Sequence, residues 1–286
     1  MTGPGRPTER FTDKAYLRTA AYGDDQRLGD RAAIYRYLTI DSIDLGPHPF
    51  RAETIAGVFS TFLDPAIGGA ALDVGCGRGT YLPVLAGQFD RVVAGDLSEG
   101  MLASCPPGGW LMAVVDVESL AFRDAAFDVV LANHMLYHAP DLPVAVRELR
   151  RVVRRGGVLF AATNGSGNFR AAYEILAAAA GRVSGRTEPV LEPLDHRFSL
   201  ASGAAGLRAE FASVEVKHTV GRIRLTDEEA CAAMLRYYRS VDDEWVASYE
   251  LDWEALEKAL AVELRERLRR GGVIEIPAHS GLLVAV

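Results

Sequence analysis

The residues best suited to chemistry are three alternating glycines and the two aspartates on either side of them. They are Asp73, Gly75, Gly77, Gly79 and Asp96. The first aspartate belongs to a short apolar run at residues 70–74, and the second ends another such run, as in two buried parallel strands. Glycine lets the backbone approach a ligand closely, and an acid roughly 20 residues further on accepts hydrogen bonds from ribose hydroxyls. The spacing therefore predicts a strand–helix–strand unit that binds an adenosine-bearing ligand.

The residue at position 80 distinguishes between two kinds of nucleotide loop. A dinucleotide loop, G-x-G-x-x-G, requires a third glycine where this chain has Thr80. The pattern here is D-x-G-x-G-x-G, and it resembles the cofactor loop of class I S-adenosylmethionine-dependent methyltransferases. The alternative is an ordinary strand–turn–helix with a glycine-rich corner, which leaves Asp73 and Asp96 unexplained.

The resemblance extends beyond the loop and implies further cofactor contacts. The stretch FDVVLANHMLYHAPD at residues 127–141 is similar to the segment that family members carry after their fourth strand. In the family an acid after the third strand commonly accepts a hydrogen bond from the adenine amino group, and Asp116 matches that position. The core contacts implied are Asp73, Gly75, Cys76, Gly77, Asp96, Leu97, Met101, Asp116, Val117 and Asn133. Leu97 and Val117 would enclose the adenine, and small size explains Cys76 better than reactivity.

The N-terminal segment supplies a second group of candidate cofactor contacts. The stretch AYLRTAAYGDDQRLGDRAAIYRYL at residues 15–38 resembles the helical cap of bacterial natural-product members of the family. By that resemblance, Tyr16, Tyr22 and Arg31 contact the methionine end of the cofactor. The alternative is that these aromatic residues only pack the cap on the core.

Two histidines follow the predicted fourth strand at a spacing of four. If their segment is helical, His134 and His138 share a face, which would suit a metal pair, but no third ligand lies at a suitable spacing. No metal site is therefore predicted. Imidazole titrates near neutral pH, so His138 is the first candidate for a general base toward a hydroxyl acceptor, with His134 and His196 behind it. The alternative is a histidine that hydrogen-bonds backbone, and an amine acceptor that needs no protein base.

Composition argues against several classes of protein. The 286 residues carry a formal net charge of −7, which argues against a nucleic-acid-binding surface. The D/N-P-P-Y signature of amino-methylating nucleic-acid enzymes is also absent. The three cysteines form no disulfide or metal spacing, and the chain has no apolar run of some 18 residues and no signal peptide. We therefore expect a cytoplasmic protein without a membrane partner.

The order of apolar runs and helical patterns predicts the fold. We expect a Rossmann-like, doubly wound α/β sheet of seven strands, mostly parallel, with an antiparallel last strand. Residues 1–50 would form a helical cap, and residues 51–164, 197–225 and 271–286 the core. A helix over residues 51–63 would cover the first strand, and residues 214–225 would be an edge strand. Residues 165–196 and 226–270 would be lid insertions, whose tyrosines and tryptophans either face ligand or form the lid's own core.

The resemblance implies S-adenosyl-L-methionine as cofactor and methyl transfer to a nitrogen or oxygen of a small molecule, as in antibiotic biosynthesis. Carbon methylation stays open, and the chain would be a monomer or a homodimer. Three rivals remain. They are a nucleic-acid or protein methyltransferase, a nicotinamide-dependent oxidoreductase and a member of the fold that binds the cofactor without transferring methyl. The oxidoreductase would need a second ligand-binding half and favours glycine at position 80.

Overall fold

A computed structural model of the chain describes residues 12–43, 69–190, 197–241 and 249–286. Two expectations from the sequence, the helix at residues 51–63 and the candidate base His196, lie outside these ranges.

One mixed sheet organises the described residues. Its strands are β1 (Leu38–Ile43), β2 (Ala70–Val74), β3 (Arg91–Asp96), β4 (Leu111–Val114), β5 (Phe127–Leu131), β6 (Val153–Asn164), β7 (Val214–Leu225) and β8 (Ile274–Ala285). They lie in the order β1-β7-β8-β6-β5-β2-β3-β4. The run from β6 to β4 is parallel, whereas β8 is antiparallel to both β6 and β7, and β1 is antiparallel to β7. The expected mostly parallel sheet with an antiparallel last strand is confirmed.

Two details of the predicted sheet were wrong. The sheet has eight strands instead of seven, because residues 38–43, assigned to the helical cap, pair with β7 as β1. For the same reason residues 214–225 are not an edge strand. The β-branched side chains of Thr39 and Ile40 favour an extended backbone, and twelve residues of β7 offer a long hydrogen-bonding edge.

Nine helices are seen in the described residues. They are α1 (Lys14–Tyr16), continued by a π-helical turn (Leu17–Ala21), α2 (Gln26–Ala33), α3 (Leu82–Ala86), α4 (Glu99–Ala103), α5 (Leu142–Val152), α6 (Arg170–Ser184), α7 (Leu200–Leu207), α8 (Glu228–Ser240) and α9 (Trp253–Gly271). Ser98 caps α4, accepting a hydrogen bond from the Met101 amide at 3.3 Å. In these parts of the chain no helix is long and apolar enough to cross a membrane.

Helices cover both faces of the central strands. Successive residues of a strand point to opposite faces, so Leu72 and Val130 pack against α5 and α7, while Ala71 and Val129 pack against α3 and α4. This explains why the strands are apolar along their whole length. The doubly wound arrangement follows, and it leaves the carboxyl ends of the parallel strands open to a ligand.

A second apolar core lies beside the sheet. Helices α6, α8 and α9 bury side chains there against the ends of β7 and β8, together with Ile34 from the N-terminal segment. The hydroxyl of Tyr238 is fully buried in this core and donates to the Ala172 carbonyl at 2.6 Å. We call these three helices and their contacts the second core.

Candidate functional site

A cavity of about 830 Å³ opens at the carboxyl ends of β2, β3, β4, β5 and β6. It brings together thirteen of the fifteen described residues that the sequence analysis proposed as cofactor contacts or bases. Those lining it are Tyr22, Arg31, Gly75, Cys76, Gly77, Asp96, Leu97, Met101, Asp116, Val117, Asn133, His134 and His138. Asp73 and Tyr16 do not line it.

The glycine loop contains backbone conformations that are energetically unfavourable for residues other than glycine. Gly75 and Gly77 have φ of +67° and +54°, in the left-handed region. A Cβ at Gly75 would lie 2.7 Å from Met135 Cγ, so a side chain there is excluded by contact as well. The amides of Gly75 and Cys76 donate to the Gly95 carbonyl at 2.7 and 3.0 Å, which ties the loop to the end of β3. Burial raises the pKa of the Cys76 thiol, as suits a small packing residue.

Asp96 joins this loop to the next turn of the chain. Its Oδ2 accepts from the Gly77 amide at 2.9 Å, and its Oδ1 accepts from the Ser98 amide at 2.9 Å. Burial raises the pKa of Asp96, and these backbone donors oppose that shift by stabilising the carboxylate. The carboxyl group borders the cavity and each oxygen has a further lone pair with which to accept from a ligand hydroxyl.

Two buried polar atoms beside the loop have no hydrogen-bond partner in the described part of the chain. They are Asp73 Oδ2 and Asn133 Nδ2. Burial, and then the nearby charge of Asp96, raise the pKa of Asp73 to about 8. Asn133 uses its Oδ1 to accept from the Ala162 amide at 3.0 Å. Asn133, which lines the cavity, therefore has a donor available to a polar ligand, and the buried carboxyl of Asp73 behind it can donate as well as accept when it is protonated.

Asp116 has a partner that the sequence did not indicate. Lys14 of α1 forms ion pairs with Asp116 at 2.5 Å and with Glu118 at 2.6 Å. The other Asp116 oxygen accepts from the Glu118 amide at 3.1 Å. A role for Asp116 toward adenine stays a prediction, since this carboxylate also holds the N-terminal segment against the sheet. Lys14 lies 102 positions from Asp116, so no local pattern in the sequence could reveal the pair.

Hydrogen bonds connect three residues that the sequence analysis had proposed for separate roles. They are Tyr22 and Arg31, proposed as cofactor contacts, and His138, proposed as a base. Arg31 Nη1 donates to the Tyr22 hydroxyl at 3.1 Å, and that hydroxyl lies 2.9 Å from His138 Nε2. Arg31 Nη2 donates to the Ser240 carbonyl at 3.0 Å, which holds the guanidinium in place. The Tyr22 carbonyl accepts from the Ser98 hydroxyl at 2.7 Å, so the N-terminal segment is bound directly to the turn after β3.

His134 and His138 do not share a helical face. His134 has φ of +53°, and only residues 136–138 form a short 3₁₀ turn, so the i,i+4 geometry assumed for a metal pair is absent. Burial lowers the pKa of His134 to about 4, which leaves it neutral at physiological pH. Within the described ranges no group of three or more His, Cys, Asp and Glu side chains could hold a metal ion.

The far side of the cavity is aromatic and comes from the second core and the N-terminal segment. The rings of Phe169 and Tyr237 are 5.0 Å apart, and that of Tyr35 lies 6.0 Å from Phe169. Tyr173 completes this aromatic wall. Of the described tyrosines and tryptophans in the predicted lids, Tyr173 and Tyr237 line the cavity. Tyr238, Tyr249 and Trp253 pack in the second core, and Trp245 lies outside the described residues.

Comparisons with known proteins identify the central part of the chain. Residues 72–161 match the model of a methyltransferase domain. Malonyl-acyl-carrier-protein O-methyltransferase of Erwinia pyrifoliae is 32% identical over 154 residues, which cover 50% of this chain and 56% of that protein. The chain spans about half or less of the length of the curated relatives it matches first.

Two solved structures have a similar fold. One is described as a methyltransferase from an antibiotic biosynthesis pathway of Anabaena variabilis, with a TM-score of 0.53 and 19% identity over 81% of this chain and 96% of that chain. The other is phosphoethanolamine N-methyltransferase 2 of Haemonchus contortus, bound to phosphomonomethylethanolamine and S-adenosylhomocysteine. Its TM-score is 0.51 and its identity 17%, over 96% of this chain and 59% of that chain.

The residues present fit S-adenosyl-L-methionine, the cofactor of such proteins. A Cβ at Gly75 would obstruct the loop, Asp96 borders the cavity with acceptor capacity, and buried Asp73 and Asn133 each retain an unused polar atom. The matched domain runs from β2 to β6 and contains the whole glycine loop. Residues 72–161 are therefore similar to a methyltransferase domain, and the fold of the chain is similar to that of solved methyltransferases.

Proposed function

We propose that the chain transfers a methyl group from S-adenosyl-L-methionine to an oxygen or nitrogen atom of a small-molecule acceptor. One observation carries the proposal. The glycine loop, the His138–Tyr22–Arg31 chain of hydrogen bonds and an aromatic wall all border the same cavity of about 830 Å³. A cavity of that size is in the range that holds a drug-sized ligand, with apolar walls and a few placed polar groups.

The residues that would hold the cofactor are those around the loop. Asp96 would accept from the ribose hydroxyls, and the absence of side chains at Gly75 and Gly77 would let the backbone approach the ligand. Leu97 and Val117 would enclose the adenine, while Asp73 and Asn133 would receive polar groups at the other end. When bound, the cofactor supplies an electrophilic methyl group on a sulfonium.

The chain's own chemical task is then to position the acceptor and take its proton. Arg31 can only donate, so the Tyr22 hydroxyl that accepts from it can pass its own proton to His138 Nε2. An acceptor hydroxyl beside Tyr22 would lose its proton to the Tyr22 oxygen as His138 becomes protonated at Nε2. Arg31 would stabilise negative charge that develops on the tyrosine oxygen. In this proposal His138 is the base, Tyr22 carries the proton to it, and His134 has no catalytic task because its low pKa makes it a weak base.

The elements around the cavity would exclude water during transfer. We assign residues 1–50, apart from strand β1, to a cap, residues 165–196 and 226–270 to lid insertions, and the rest together with β1 to the cofactor-binding core. Support comes from Lys14, Tyr22 and Arg31 of the cap and from Phe169 and Tyr237 of the insertions, which line the cavity. Closure of a site strengthens the electrostatic interactions inside it and prevents side reactions.

The acceptor would be a biosynthetic intermediate of secondary metabolism, such as antibiotic biosynthesis. The net charge of −7 supports a small molecule over a nucleic acid, and the N-terminal sequence resembles that of natural-product enzymes. We propose a cytoplasmic protein that acts as a monomer or a homodimer.

Thermal-shift titrations with S-adenosyl-L-methionine, S-adenosylhomocysteine and NAD test the cofactor assignment. A ligand that binds only the native state raises the apparent stability with its concentration. We expect both sulfur nucleosides to stabilise the protein and NAD to have no effect; stabilisation by NAD alone would contradict the proposal.

A transfer assay then tests the reaction. The protein would be incubated with methyl-labelled cofactor and a panel of phenols, carboxylic acids and amines, and labelled product would be measured. Product from any of them supports methyl transfer to a small molecule. Cofactor binding without product across the panel would favour the non-methylating alternative.

A further inference from the structure

Three neighbouring strands each carry an uncharged polar side chain at the same level of the sheet. Asn164 of β6 pairs directly with Ser280 of β8, and Ser280 pairs directly with Thr219 of β7. Residues directly opposite each other on paired strands point to the same face. Asn164, Ser280 and Thr219 therefore form a continuous polar row across the sheet.

This polar row borders an apolar part of the same face. Two residues along from Ser280 and Thr219 the same face carries Ala278 and Gly221, and beyond them Ile276 and Ile223, both fully buried in the second core. If these three positions only packed the helices against the sheet, apolar side chains would be sufficient there. The row needs another explanation.

A recess of about 10 Å³ lies over the polar row. Its walls include Asn164, Thr219 and Ser280, with Asn168 from the loop before α6. A recess of this size holds about one water-sized atom. The recess shares Tyr35, Leu38, Asn164 and Asn168 with the large cavity, so it lies at the end of the cavity that the aromatic wall encloses.

The buried hydroxyl of Thr219 is the strongest indication that the recess binds a ligand. Its side chain is 3% exposed, and its Oγ1 is buried without a hydrogen-bond partner in the part of the chain that the structure describes. Leaving a buried hydroxyl unsatisfied destabilises a folded protein, so native structures rarely keep one without a purpose. A partner supplied by a ligand satisfies the group and explains its retention.

We propose that this recess is the distal end of the acceptor site and binds a neutral oxygen, a hydroxyl or a carbonyl, of an aromatic acceptor. No charged side chain lines the recess among the described residues, so it does not suit an ionised group. Hydroxyl and amide side chains both donate and accept, which suits either oxygen function. Since His138 lines the cavity and not the recess, the bound oxygen lies away from the atom that is methylated. This inference rests on the proposed methyl transfer to a small molecule.

Matched pairs of aromatic probes test the recess. They are 4-phenylphenol with 4,4′-biphenol, and 2-naphthol with 2,7-dihydroxynaphthalene, titrated by calorimetry into protein saturated with S-adenosylhomocysteine. We expect at least one dihydroxy probe to bind roughly five-fold tighter than its monohydroxy partner, as one net hydrogen bond provides. In Thr219→Val, which keeps the shape and removes the hydroxyl, that ratio should fall to within two-fold. Thr226→Val, at an exposed residue between β7 and α8, is the control and should keep this ratio.

The outcomes separate this inference from the proposed function. Failure of S-adenosylhomocysteine to bind would contradict the proposed function itself. Binding of S-adenosylhomocysteine with no difference within either pair, with no binding of any probe, or with the ratio unchanged in Thr219→Val, would overturn the inference alone.

Thermal unfolding of Thr219→Val distinguishes a ligand site from a structural water site. We expect the variant's Tm to be equal to or above that of the wild type, because an unsatisfied hydroxyl has been removed. A Tm several degrees lower, with the probe ratio retained, would mean that the recess holds a structural water and would overturn the proposal.

Discussion

Gly75 is a position at which the glycine loop does not readily accommodate a side chain. Its φ of +67° costs an L-residue about 1–2 kcal/mol, and an added Cβ would lie 2.7 Å from Met135 Cγ. Relief of that contact would move the segment that carries Asn133 and His134, both of which border the cavity.

We therefore expect Gly75→Ala to weaken S-adenosyl-L-methionine binding at least ten-fold, as measured by calorimetry. Gly206→Ala is the matched control, because a Cβ at Gly206 in α7 meets nothing within 4 Å and alanine favours a helix. The control should bind like the wild type. Wild-type affinity in Gly75→Ala would show that the loop does not carry the cofactor.

Asp73 makes the stability of the protein depend on pH. Its pKa is raised from 3.8 to about 8, so the native state holds a proton that the unfolded chain has lost between those values. Stability falls with rising pH wherever the native state binds more protons. The contribution of Asp73 is therefore fully present below pH 3.8 and is lost as the pH rises toward about 8.

Between pH 5.5 and pH 8, we expect the Tm of Asp73→Asn to fall less than the Tm of the wild type, because the amide does not titrate in this window. Asp96, whose pKa is also raised, is present in both proteins, so part of the decrease of Tm with rising pH should remain in Asp73→Asn. Asp24→Asn, in an exposed turn, is the control. Equal slopes in all three proteins would contradict the assignment of this proton to Asp73.

The hydroxyl of Tyr22 links Arg31 to His138, so its removal should interrupt proton transfer while the ring remains. We expect Tyr22→Phe to lower kcat toward a hydroxyl acceptor by about 10²-fold, the lower range for positioned acid–base groups. His138→Asn should have an effect of similar size, and the double variant should add little. Tyr37→Phe is the control, since that residue does not line the cavity. Additive losses in the double variant would contradict a shared pathway.

The sequence allows some strands and helices to be predicted but not others. Strands β2 to β6 and the glycine loop were predictable because apolar runs, glycines and terminal acids lie within one local pattern. Strand β1 was not, because its six residues become a strand only through pairing with β7, more than 170 positions away. The His138–Tyr22–Arg31 chain likewise depends on tertiary placement, although each residue could be nominated separately.

Lys14 affects the placement of a whole element, because its ion pairs attach α1 to the turn after β4. Both partners are partly exposed, so the pairs contribute about 0.2–1 kcal/mol. We expect Lys14→Gln to weaken cofactor binding about two- to five-fold, more at low salt than at high salt. Lys258→Gln removes an exposed i,i+4 pair on α9 and serves as the control. A salt-independent loss in Lys14→Gln would argue for a packing effect.

The cavity lies between two bodies of apolar packing. The glycine loop belongs to the sheet and its covering helices, whereas Phe169, Tyr173 and Tyr237 of the aromatic wall belong to the second core. The sequence indicated the first body through its motif. It did not tell which aromatic residues of the second body face a ligand, because Tyr237 and Tyr238 are adjacent and only their packing separates them.

Glu263 of α9 allows the two bodies to be perturbed separately. Its buried carboxylate accepts from Arg182 Nε at 2.9 Å and from Arg267 Nε at 2.7 Å, so it joins α9 to α6 inside the second core. Removing one partner of a buried ion pair costs about 3–5 kcal/mol, and the partial exposure of both arginines reduces this to about 2 kcal/mol. Glu266 pairs with the same Arg182 from an exposed position and provides a matched comparison.

We expect Glu263→Ala to lower the free energy of unfolding by about 2 kcal/mol in urea, and Glu266→Ala by less than about 0.5 kcal/mol. Because Glu263 supports the aromatic wall and not the glycine loop, its loss should reduce kcat/KM for the acceptor and leave the Kd of S-adenosyl-L-methionine within two-fold. Hydrogen exchange should accelerate in α6 and α9 and stay slow in β2 and β3. If cofactor binding falls as much as turnover, the two bodies act as one unit, and the second core supports the whole site instead of its acceptor half.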